Sequence, residues 1–228
     1  MQYTLVRIDF YSGEKCDVCP RPLTSGKARV LVDEAGNELF VGPVCAQKKA
    51  TNGKGKVPDL TMAALDPEAV SAGGNSAGKP GSSNGPATSQ IDNSDRLKAE
   101  SYLLLRTEKL VNYSGMSYGK LADLHRRYLI NGLSDDDVKY LLNLMAKVKN
   151  DRPEYSYKNL QAIYACDFWI QRFLAKDASD FILSLKAYLH AHLALTPGQI
   201  DGLNKWFKNK PGMISIKPDA FAFAPSKK

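Results

Sequence analysis

Three cysteines near the N-terminus have the spacing of metal ligands. Cys16 and Cys19 form a Cys-x2-Cys pair, and Cys45 follows 26 positions later, after VGP. Two thiolates on one tight turn can hold a metal about 2.3 Å from each sulfur, and a structural zinc site closes with four such ligands. Two to four positions after Cys45 stand Gln47, Lys48 and Lys49, none of them a ligand type. Four completions stay open. A carboxylate of Asp17, Asp33 or Glu38 closes the shell; a distant Cys166, His125, His190 or His192 does so; water or a partner takes the position; or no metal binds. Cys166 lies in IYACDFW among large apolar residues, which predicts a buried structural cysteine. No nearby His offers a general base, so a catalytic zinc is not expected.

Clustered cations are the second chemical signal. The net charge is +7; residues 1–60 carry nine Lys/Arg against seven Asp/Glu, and residues 96–228 carry 21 against 13. A basic chain suggests a polyanionic partner. Lys48 and Lys49 open a basic stretch that continues to Lys54 and Lys56. In HRRY, Arg126 and Arg127 can fork onto phosphates, while Tyr128 either stacks on a base or, as the helical pattern favours, sits partly in the core. KWFKNK sets Lys205, Lys208 and Lys210 around Trp206 and Phe207, with Trp206 expected to anchor the helices. His190 and His192, two apart, fall on different helix faces and make no joint site. Asp135, Asp136 and Asp137 are better explained by a helix N-terminus than by magnesium. The chain has no Walker loop, dinucleotide fingerprint, nucleophile elbow or HExxH, so an enzyme is not expected.

The elements that must position these residues change character along the chain. YTLVRIDFY alternates, placing Leu5, Arg7 and Asp9 on one face and Val6, Ile8 and Phe10 on the other. KARVLVDEAGNELFVG predicts strands over 28–33 and 38–41, with Gly36 supplying positive φ in the turn between them, and VCAQKKA begins a short helix. About 50 residues of short strands make a thin core that a metal would staple. From residue 96 the pattern is helical. Asp95 is a candidate cap, Asn131-Gly132 a stop, Ser134 a cap followed by acids, and Thr196 a cap followed by Pro197 and Gln199. The segments around Ser134 and Thr196 echo one another at a 62-residue offset, pairing Leu133 with Leu195, Val138 with Ile200 and Leu141 with Leu203.

Residues 61–95 contain a stretch with no aromatic residue and many Gly, Ser, Ala, Pro and Asn, which predicts a flexible linker. The expected class is therefore α+β: a β-rich unit over 1–60, the linker, an all-α helical bundle over 96–210 with tandem hairpins, and a basic tail over 211–228. Apolar runs are too short to span a bilayer, so no membrane partner is expected. The N-terminus lacks a secretory pattern, which predicts a cytoplasmic protein with reduced thiols.

The stretch over residues 3–50 resembles zinc-ribbon and treble-clef zinc fingers, with three of four ligands evident in Cys16, Cys19 and Cys45. The resemblance implies a structural zinc. As a whole the chain resembles small accessory proteins of phages and plasmids that join a cysteine knuckle to helices. The leading expectation is a nucleic-acid-binding accessory role in replication, repair or transcription control. Its contacts would be Lys48, Lys49, Arg126, Arg127, Lys205 and Lys208. The alternative is an adaptor or inhibitor that grips a host or replication protein without binding nucleic acid.

Overall fold

A computed structural model of the chain describes residues 2–61 and 91–225. Most of the expected linker lies outside these residues. The N-terminal unit is an antiparallel sheet of β1 (Tyr3–Phe10), β2 (Lys27–Asp33) and β3 (Glu38–Val41), in that order, followed by the short helix α1 (Pro43–Lys49). The hairpin between β2 and β3 forms because Asp33 accepts backbone N–H bonds from Ala35 at 2.9 Å and Asn37 at 2.8 Å. Gly36 takes the φ of +84° that the turn requires. A bulge interrupts β1: Leu5 faces Leu31, but Arg7 faces Val30. The extra residue breaks the simple alternation. Leu5 therefore joins a small core with Leu23, Leu31, Val41 and Ala46, while consecutive Asp9 and Phe10 are both buried.

The second unit is helical: α2 (Asn93–Leu104), α3 (Gly119–Asn131), α4 (Asp135–Asp151), α5 (Tyr157–Leu174), α6 (Asp180–His192) and α7 (Pro197–Lys208). Asp92, rather than Asp95, caps α2, because its carboxylate accepts the Asp95 N–H at 2.9 Å and starts the helix earlier. The helix widens into a π-turn over Leu105–Lys109. Arg106 lies in that turn, 3% exposed, and donates to the Tyr102 hydroxyl and to the carbonyls of Gly115 and Met116. The loop after α2 is thus tied to the helix that precedes it.

α3 stops at Gly132, whose φ is +72°. The two echoed segments have the same local structure. Ser134 and Asp137 form a capping box at α4, and Thr196 and Gln199 form one at α7. The apolar pairs Leu133/Leu195, Val138/Ile200 and Leu141/Leu203 are all buried. α5 is the central element, burying Leu160, Ile163, Trp169, Ile170 and Phe173. The segment after α7 is packed as well. Ile214, Ile216 and Phe221 enter the core, and Asn204 hydrogen-bonds both backbone groups of Ile216.

The sheet packs on α5. Phe10 stacks on Phe168 with ring centroids 4.6 Å apart, and the Arg172 guanidinium donates to the Tyr11 carbonyl at 3.3 Å. After α1 the chain returns beside β1, where Ile8 donates to Pro58 O and Leu60 donates to Ile8 O. That return places Leu60, fully buried, in the helical core. The two units therefore share apolar contacts through β1, residues 57–61 and α5.

Candidate metal centre

Cys16 and Cys19 sit on the turn after β1, and Cys45 lies in the first turn of α1. The turn is held by Cys16 N–H bonding to Arg21 O at 3.0 Å and Leu23 N–H bonding to Glu14 O at 2.9 Å. Pro43 at the start of α1 fixes the backbone that delivers Cys45. The three sulfurs all lie within 4.8 Å of one another, with Cys19 Sγ and Cys45 Sγ 3.4 Å apart. A tetrahedral metal with thiolates at about 2.3 Å needs sulfur separations of about 3.8 Å, so only small side-chain rotations separate this cluster from a ligand set. Three close cysteines are thus placed to hold a metal ion.

The electrostatics fit a cation. Burial raises the Cys16 thiol, but N–H groups of Gly42, Val18 and Cys19 more than offset it and bring the group below its ordinary value. Cys45 is pushed up to about 11 by burial and by hydrogen bonding and charge repulsion within the trio. Three packed thiols cannot all ionise in each other's field unless a positive ion joins them. The Gly42 N–H aimed at Cys16 Sγ, 3.5 Å away, is the kind of outer contact that orients a thiolate ligand.

Among the described residues no fourth side chain joins the cluster. Asp17 is next to Cys16, but its carboxylate accepts from Tyr11 OH at 2.8 Å and Phe40 N at 2.6 Å. Asp33 is occupied by its turn, and Glu38 pairs with Arg7 at 2.9 Å. His125 bonds Glu108, His190 stacks on Tyr113, and His192 packs at a tilt against Tyr188. Cys166 is fully buried in α5, as its apolar neighbours in sequence imply. The completions that used these side chains are therefore corrected: folding commits each of them elsewhere. A cavity of about 270 Å³ opens beside the cysteines, lined by Arg21, Leu23, Val44 and Lys48 among others. Arg21 was not singled out from the sequence, although the knuckle turn carries it two residues past Cys19.

The cations expected to contact nucleic acid do not form one cluster. Lys48 and Lys49 are exposed on the last turn of α1, beside the cysteines. Arg126 pairs with Asp123, and Arg127 with Asp137 at 2.8 Å. Lys205 pairs with Asp201 at 2.8 Å on α7, whereas Lys208 has no ion pair among the described residues. Tyr128 packs against the core, and burial pushes its hydroxyl up to about 12. Trp206 is not the anchor of the bundle. It is 43% exposed and stacks on Phe181, while Trp169 is fully buried in that structural role. Position relative to α5 decides this difference, and no local pattern reports it.

No helix among the described residues is long and apolar enough to cross a membrane. No protein-family model, curated protein or solved structure matches the chain.

Proposed function

We propose that the chain is a nucleic-acid-binding accessory protein whose N-terminal unit is stapled by zinc at Cys16, Cys19 and Cys45. One observation carries the reading. Arg21 and Lys48 line the cavity beside the cysteines and Lys49 follows Lys48 on the last turn of α1, all exposed and without a carboxylate partner among the described residues. Cations in that state meet phosphates without first breaking an ion pair. The test uses the full, zinc-loaded chain with single- and double-stranded oligonucleotides across a salt series. Replacing Arg21, Lys48 and Lys49 by Gln together lowers affinity and flattens the log–log salt slope by about 0.7–0.9 per lost contact. Absence of binding to either strand form at low salt overturns the reading.

A second reading, an adaptor that grips another protein, has its own support. Leu129 and Ile130, adjacent near the end of α3, are 65% and 78% exposed. If this reading holds, Leu129→Ser with Ile130→Ser abolishes capture of one protein that survives nuclease treatment.

A further inference from the structure

Two cavities run together where Lys98 and Tyr157 line both. One, of about 550 Å³, lies between α2, α4 and the start of α5 and is edged by Lys149 and Lys158. The other, of about 390 Å³, lies between α2, α5 and the chain returning from the sheet, and is edged by Lys56. Lys56, Lys98 and Lys149 are exposed and have no ion pair among the described residues. Lys158 has only Asp219, 3.9 Å away. The acid lining the groove, Asp59, accepts two hydrogen bonds from Thr61 and sits in the field of Lys27 and Arg29. The rim is therefore strongly positive.

The floor supplies a polar group that a ligand could pair with. Gln161 lies one helical turn beyond Tyr157 on α5, is 3% exposed and lines the second cavity. Its carboxamide makes no hydrogen bond among the described residues. An amide offers two donors and one acceptor, and here no other described group takes them, so they are free to pair with a molecule in the cavity. Next to it the wall is apolar and aromatic, with Val57, Leu97 and Tyr157.

We propose that this groove binds a nucleoside phosphate. The lysines take the phosphate, the wall formed by Tyr157, Leu97 and Val57 takes the flat base, and the Gln161 amide pairs with the donor–acceptor edge of that base. A free mononucleotide and an unpaired nucleotide within a strand present this same chemistry. The proposal does not rest on the nucleic-acid reading above, because its residues lie apart from the cysteine cluster.

Isothermal titration of the full chain at low salt with AMP, ribose 5-phosphate and a short oligodeoxyadenylate tests it. AMP or the oligonucleotide binds more tightly than ribose 5-phosphate. Lys98→Gln and Lys149→Gln each weaken all binding, by about tenfold at most. Gln161→Leu weakens the base-bearing ligands by about tenfold, leaves ribose 5-phosphate within about twofold, and does not lower the melting temperature of the ligand-free protein. A mere folding role for Gln161 would instead lower that temperature and leave the ligand ratios alone. Tighter binding of AMP than of the oligonucleotide assigns a free nucleotide, and the reverse order assigns a strand. The proposal is overturned if neither ligand binds at millimolar concentration, or if AMP and ribose 5-phosphate bind alike and Gln161→Leu changes nothing. Oligonucleotide binding that ignores every groove variant also overturns it, while leaving the function proposed above standing.

Discussion

The Tyr164 hydroxyl donates to the Asp9 carboxylate at 2.6 Å, joining β1 to α5 across 155 residues of sequence. Asp9 is 1% exposed. Its other oxygen meets Lys109 Nζ at 2.7 Å and Arg7 Nε at 2.9 Å. One buried carboxylate thus ties together the sheet, the π-turn after α2 and the central helix.

Removing that carboxylate leaves Lys109 and Arg7 facing one another. Asp9→Ala lowers folding stability by about 3–5 kcal/mol, the usual cost of breaking a buried ion pair. Thermal melts of the variant and of Tyr164→Phe check this, with the smaller loss, about 1 kcal/mol, in Tyr164→Phe. A loss below about 1 kcal/mol in Asp9→Ala would show that the junction carries little of the fold.

The same group sets a pH dependence. Burial alone would raise the pKa of Asp9, but the charge of Lys109 and hydrogen bonds from Lys109, Tyr164 and Arg7 hold it below the ordinary value. A depressed folded pKa adds stability that is present above the unfolded value, about 3.9, and lost as pH falls through the folded value. The stability gap between the wild-type chain and Asp9→Asn therefore stays constant above about pH 5 and narrows below about pH 4. Denaturant midpoints of both proteins at several pH values measure it, and a gap that widens in acid contradicts the sign.

Metal content separates the four cysteines. If the cluster holds zinc, the purified chain is expected to carry about one ion, Cys16→Ser to lose it and Cys166→Ser to keep it, because Cys166 is enclosed in α5 away from the other three. Elemental analysis of each variant decides. Metal loss in Cys166→Ser would contradict the placement of that residue.

Gly26 tests how tightly the sheet sits on the helices. Its φ is +65°, and an added Cβ would lie 2.6 Å from the Trp169 ring. Gly26→Ala combines backbone strain with that overlap and costs about 2–4 kcal/mol. Gly36→Ala has a similar φ but open space around it, and costs about 1 kcal/mol. Equal losses at the two sites, read from chemical denaturation, would mean that the Trp169 contact is loose.

Local chemistry was legible in the sequence. Gly36 in the hairpin, Gly132 after α3, and the capping boxes at Ser134 and Thr196 are decided by groups within four residues of one another. A turn or cap depends on which backbone N–H lacks a partner, and nearby side chains answer that. The Cys16, Cys19 and Cys45 grouping was legible for a related reason: a knuckle turn and a hairpin end bring those three sulfurs together without help from the helices. Tertiary structure alone decided where each unit buries its surface. The bulge at Leu5 and Arg7 turns Asp9 and Phe10 toward α5, and an alternating pattern cannot show an inserted residue. Trp169 is enclosed while Trp206 is exposed, although both lie in amphipathic helices, because the sheet unit covers Trp169 through Phe10 and Gly26, whereas Trp206 is half open beside Phe181. The same logic holds for the carboxylates near the cysteines. Asp17, Asp33 and Glu38 were available as ligands by type and distance along the chain, but in the fold Asp17 bonds Phe40 N, Asp33 bonds its own turn and Glu38 pairs with Arg7.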